Sequence, residues 1–273
     1  MAIQNGVIKI KGKLGDLVAY ERNGKYVVRQ NVSDKKQSEN SKKSSQDFGS
    51  ASRSAAQLRK AFAPLVEFYG NNGLVNRLNK RLIAVFNTIP LKDAGKKKLA
   101  DGNISLLKGF EFNTFRLFDD VFRFPTALEI APDGLVKLIL PAKKIRDLIK
   151  PHPKAVQACL QVRGFHFDLG GNEEYEMIKI KDLVIPLNQE QFPKMILPIK
   201  LDHDGDKAFV VAMGIRFNIG GSGYSGDKKY FVCKIIHSLH LRDGLVVDFI
   251  PPESKKAIDE EEDEGLSWVT EDE

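Results

Sequence analysis

From about Gly109 to Ile250, short apolar runs alternate with turn signals: Pro132-Asp133-Gly134, Pro151-His152-Pro153, Gly170-Gly171, Asp204-Gly205 and Asp243-Gly244. Glycine supplies positive φ, proline presets φ, and aspartate bonds its own backbone, so each cluster is a turn with a mechanism. Strands spaced this way predict an antiparallel β-sandwich over 109–250, Ig-like or jelly-roll-like. The fold class expected is therefore mainly β with a helical insert. Within the sandwich, Gly164-Phe-His-Phe-Asp-Leu-Gly-Gly171 recurs as Gly214-Ile-Arg-Phe-Asn-Ile-Gly-Gly221. A duplicated hairpin, over about 155–185 and 205–240, is the economical reading, one copy in each half of the sandwich. Phe167 and Phe217 are then equivalent and point to the same face.

The first 31 residues read as a β-meander. Asn23-Gly24 between two alternating runs is a type I′ hairpin signal, because both central residues of that turn need positive φ. Leu17, Val18, Tyr20, Tyr26, Val27 and Val28 place apolar groups on both faces of a hairpin too small to cover them, and they form the expected assembly interface. Residues 32–47, rich in Ser, Lys and Asn, read as a basic polar linker. A helical region follows over 48–108. One helix carries Leu58, Ala61, Phe62, Leu65 and Tyr69 on a face, with a kink expected at Pro64. The next carries Val75, Leu78, Leu82, Val85, Phe86 and Ile89 and ends near Pro90. Arg53, Arg59, Lys60, Arg77, Lys80 and Arg81 fall off these faces and form the expected basic surface. Residues 251–273 read as an acidic tail, with Trp268 as a docking anchor. Both 31–47 and 253–265 hold too few apolar side chains to offset backbone ordering, and are expected to be mobile.

Charge divides the chain in the same way. Residues 1–110 carry 21 Lys/Arg against 8 Asp/Glu, and residues 253–273 carry 2 against 10. A basic front suits a polyanion or an acidic protein partner, and the tail offers an acidic partner within this molecule or a neighbouring copy. No run approaches the ~18 apolar residues of a membrane-spanning helix, so no integral membrane association is expected. The N-terminus, Met-Ala-Ile-Gln-Asn-Gly, lacks the pattern of a secretory signal, which places synthesis in the cytoplasm. Cys159 and Cys233 sit in strand-like runs and read as free, buried thiols.

Chemical motifs fail on context. Gly221-Ser-Gly223-Tyr-Ser-Gly226 matches G-x-G-x-x-G, but no helix N-terminus follows to receive a phosphate. Gly6 to Lys13 has the wrong spacing for a P-loop, and Leu14 stands where Ser or Thr must ligate magnesium. Asp202, Asp204 and Asp206 offer oxygens in one turn and are weak candidates for calcium, without the loop length or terminal Glu of an EF-hand. His237 and His240, three apart in a strand, face opposite sides and cannot chelate together. His166 has no evident partner, so no nucleophile–base–orienter set is legible. No catalytic residue, metal or cofactor is assigned.

Four stretches carry a resemblance: Asn5-Gly6 through Gly12-Lys13-Leu-Gly15 and Asn23-Gly24-Lys25; Asp47-Phe-Gly-Ser-Ala-Ser through Leu58-Arg59; Arg81-Leu82; and Leu107-Lys-Gly-Phe-Glu-Phe-Asn113. Together they resemble an uncharacterised protein family of Bacteroidota or their phages, over roughly the first 115 residues. The resemblance implies a small N-terminal sheet and helices joined to a sandwich, and carries over no activity. The reading that follows is a non-enzymatic structural protein that associates with itself or with another structural protein, ending as a virion component, filament or extracellular assembly. The alternatives are a nucleic-acid-associated protein using the basic third, and a carbohydrate- or ligand-binding sandwich.

Overall fold

The computed structural model describes residues 2–6, 8–31, 37–71, 73–123, 125–131, 135–169, 174–200 and 204–252. The chain divides into two compact units at Ser44/Ser45.

The first unit is a four-stranded antiparallel sheet of β1 (Ala2–Ile3), β2 (Gly12–Leu14), β3 (Leu17–Arg22) and β4 (Lys25–Gln30), in the order β1-β4-β3-β2. Asn23 and Gly24 both take positive φ, 51° and 74°, as a type I′ turn requires. The first helix, α1 (Glu39–Ala61), begins inside the segment that reads as linker. Its start is polar yet capped: the Ser38 hydroxyl accepts from the Ser41 amide, and Glu39 pairs with Lys42 one turn on. Those interactions are local, which is why composition alone hides them. Residues 32–36 and 253–265 lie outside the described residues.

The second unit has three layers. The helical layer holds α1, α2 (Ala63–Tyr69) and α3 (Leu74–Phe86). Pro64 does not kink a helix; it stands at the start of α2, where a missing donor costs nothing. The chain then runs through α4 (Phe118–Val121), β5 (Ala127–Ile130), β6 (Leu135–Leu140), β7 (Lys143–Lys144) and α5 (Ile145–Leu148). It continues with β8 (Gln157–Asp168), β9 (Tyr175–Lys179), β10 (Leu183–Pro186), β11 (Gln191–Phe192) and β12 (Met195–Lys200), then β13 (Asp206–Asn218), β14 (Val232–Arg242) and β15 (Leu245–Val246). The central sheet is ordered β10-β8-β13-β14-β15, with β9 also on β8; β12-β6-β5 form a second, smaller sheet.

Strands β8 and β13 are buried on both faces, which makes their sequences nearly continuously apolar. On one face Phe165, Phe167, Val210, Ala212 and Ile235 pack with Phe62, Leu65 and Leu82 of the helical layer. On the other, Leu160, Val162, Phe209, Met213 and Phe217 pack with Val136, Leu138, Leu197 and Ile199 of the small sheet. Phe62 meets Phe112, Phe165 and Phe167 edge-on, joining helices to sheet.

The expected duplication does not hold. β8 and β13 are neighbours in one sheet, with Phe167 opposite Ala208 and Phe217 opposite Ala158. Facing residues share a face, and this register places Phe167 toward the helices and Phe217 toward the small sheet. The Gly-x-x-Phe spacing is the same in both strands, but their pairing is offset by an odd number of residues, which turns equivalent positions to opposite sides.

Candidate functional site

Cross-strand pairing assigns each side chain of the N-terminal sheet to a face. Leu17, Ala19 and Glu21 share one with Tyr26, Val28 and, from the edge strand, Leu14; Val18, Tyr20 and Val27 share the other with Ile3. Ala19 and Val27 are buried at the centre, while Val18, Tyr20, Tyr26 and Val28 are half-buried. Ile3, Leu14 and Leu17 are 57%, 67% and 46% exposed. The sheet thus carries uncovered apolar groups on both sides. Cations frame them: Lys9 and Lys11 lie over the Tyr26 ring, Lys11 pairs with Glu21, and Arg29 lies over Tyr20. The hydrogen bond and charge of Glu21 raise the Lys11 pKa.

The basic residues of the helices divide into two kinds. Arg53, Lys60 and Lys80 are exposed, whereas Arg59, Arg77 and Arg81 are half-buried. Arg77 does not point to solvent as its helical position suggests. Its guanidinium donates to the carbonyls of Glu111 and Phe112 and to Asn71 Oδ1, holding the 109–114 segment against α3. Arg59 donates to Asn79 Oδ1, and Lys97 is buried with its ammonium on the Phe86 carbonyl. Arg59, Arg77 and Lys97 therefore each satisfy an internal acceptor.

Asp202 lies outside the described residues, as does Trp268. Asp204 is exposed, but Asp206 is engaged: it accepts from Arg242 Nε at 2.7 Å and faces His240 at 3.4 Å. The Arg242 hydrogen bond lowers the Asp206 pKa, against the opposing effect of burial. Among the described residues no group of three or more His, Cys, Asp and Glu could hold a metal ion. His237 and His240 face opposite sides of β14, opposite Val211 and Ala208. Cys159 and Cys233 are free and buried. The Gly221–Gly226 segment forms a 3-10 turn and a loop leading to β14, not a helix start.

Two features carry no signal that sequence reasoning used. The first is a polar chain under the helices: the Tyr69 hydroxyl donates to Gln161 Oε1 at 2.8 Å, Gln161 Nε2 to Asp182 Oδ2 at 2.8 Å, and Arg163 to Asp182 Oδ1 at 2.7 Å. Burial raises the Asp182 pKa, but the bonds from Gln161 and Arg163 outweigh it and leave the carboxyl below its usual value. Gln161 and Arg163 alternate along β8, a hint of a polar stripe, but their partner Asp182 comes from a loop that no periodicity marks. The second is Glu111, whose pKa burial pushes up to about 7 although it accepts from the Phe118 amide. No helix among the described residues is long and apolar enough to cross a membrane.

Comparison of the chain with family models, with characterised proteins and with solved structures finds no match.

Proposed function

We propose that the protein is a non-enzymatic structural component that self-associates through its N-terminal sheet. The observation that carries this reading is the sheet's pair of incompletely covered apolar faces, with Leu14 and Leu17 on one and Ile3 on the other. Exposed apolar area of this kind, rimmed by Lys9, Lys11, Lys13 and Arg29, is what a copy of the same sheet would bury. Only short strands, β1 and β2, stand at the edges, so face-to-face packing is favoured over edge pairing. A virion component or filament subunit would use such a sheet as its connector.

The test is light scattering of the full chain and of Leu14→Lys/Leu17→Lys. Both side chains are exposed in the monomer, so the double variant should fold normally and lose concentration-dependent association. Equal scattering that stays monomeric for both proteins at high concentration would refute the reading.

A further inference from the structure

A groove runs along the exposed side of α3. It consists of two depressions, about 400 and 660 Å³, that share Thr114 in their walls. Its floor is apolar: Val75, Phe115 and Leu117 are 48%, 61% and 54% exposed, and the Lys228 ammonium lies 5.8 Å from the centre of the Phe115 ring. Its rim is basic, with Lys80 and Arg81 along the first depression and Arg59 and Lys228 along the second. Among the described residues the one carboxylate in either wall is Glu111, which already accepts from the Phe118 amide. An anionic ligand with apolar side chains matches this lining.

The same chain contains such a ligand. Residues 253–273, outside the described residues, hold ten acidic and two basic residues, with Leu266, Trp268 and Val269 set among the acidic ones. We propose that this tail docks within its own molecule along the α3 groove, Trp268 and Leu266 on Val75, Phe115 and Leu117, and the flanking carboxylates against Lys80, Arg81 and Lys228. Reach is sufficient. Trp268 lies sixteen positions beyond Pro252, a stretch that extended spans roughly 50 Å, against a radius of gyration of about 17 Å for a unit of this size. Since the tail can reach most faces, charge and apolar exposure decide between them. A further basic depression, by Arg53 and Lys98, has Asp168 in its wall and, among the described residues, presents no exposed aromatic ring. This inference concerns a different surface from the N-terminal sheet and stands or falls separately from self-association.

Trp268 is the only tryptophan in the chain, so its fluorescence reports the tail directly. In the full-length protein its emission should lie to the blue of that of a synthetic 253–273 peptide, and acrylamide should quench it several-fold less. Both properties should be independent of protein concentration. Lys80→Glu/Arg81→Glu should return emission and quenching to the values of the peptide, and so should Phe115→Ser/Leu117→Ser, which alters only exposed side chains. Far-UV circular dichroism would establish that each variant is folded. Peptide-like emission in the full-length protein would overturn the proposal. So would shielding that survives both double variants, which would place the tail elsewhere, or shielding that appears only as concentration rises, which would place it on a second copy.

Discussion

In the second unit, strands β8 and β13 are covered on one face by helices and on the other by a small sheet, and almost every side chain between Ala158 and Phe167 is buried. In the N-terminal sheet, β3 and β4 bury one side chain each, Ala19 and Val27. Both regions are antiparallel and both use tight Asx-Gly turns, at Asn23-Gly24 and Asp243-Gly244. What differs is how much apolar area each sheet removes from water. Burying a large apolar side chain contributes about 1.5–3 kcal/mol; the second unit does this dozens of times, and the first gains little of it within its own sheet. The contrast teaches that regular hydrogen bonding does not by itself make a sheet self-sufficient.

The comparison can be broken most forcefully at Phe62, fully buried where three phenylalanine rings meet it. Phe62→Ala should cost about 3–5 kcal/mol in denaturant unfolding of the second unit. Next comes Asp182→Asn, which leaves Arg163, its side chain 7% exposed, without its ionic partner. The expected loss is about 2–4 kcal/mol at neutral pH. Because the Asp182 pKa is depressed, the wild-type advantage is present above the unfolded pKa and should vanish as pH falls through the folded one.

Two half-buried groups act in opposite directions over one pH window. Glu111, raised by burial to about 7, keeps its proton in the fold after the unfolded chain has lost it, so its contribution is full below the unfolded value near 4.5 and is lost as pH rises to 7. His237, which shares a 3.1 Å hydrogen bond with Thr126, is lowered to about 4 by burial and by Lys108. Its contribution is present above about 6.5 and is lost as pH falls toward 4. Glu111→Gln should therefore gain about 1–2 kcal/mol at pH 8 and nothing at pH 4, with solvent screening allowed for. His237→Gln should gain a similar amount near pH 4.5 and none at pH 8. Thermal melts of both variants across this range would show the crossing.

The smallest effect belongs to the sheet. Val27→Ala should cost about 1 kcal/mol or less locally and leave the thermal transition of the second unit unmoved.

The mainly-β class, the Asn23-Gly24 hairpin and the apolar faces of the helices were legible because each rests on a local rule: turn chemistry, period 2, or period 3.6. The start of α1 at Glu39 was not, since its stabilisation comes from one cap and one ion pair inside a Ser/Lys-rich stretch. Nor was the engagement of Arg77 and Lys97, whose acceptors are carbonyls brought close by tertiary packing. The failed duplication has the same origin. Spacing along a strand does not carry the register between strands, and register alone decides which way Phe167 and Phe217 face. Within the N-terminal sheet, sequence marked the apolar residues of β3 and β4 but not their edge-strand neighbours Ile3 and Leu14, because pairing partners are absent from a linear pattern.

Amide hydrogen exchange measured over a concentration series reads association through the N-terminal sheet strand by strand. If a second copy covers the N-terminal sheet, protection of Leu17–Arg22 and Lys25–Gln30 should increase with protein concentration while β8 and β13 stay equally protected throughout. Leu14→Lys/Leu17→Lys should abolish that increase. Protection of the sheet that is the same at every concentration, in both the wild type and the variant, would contradict self-association through this surface.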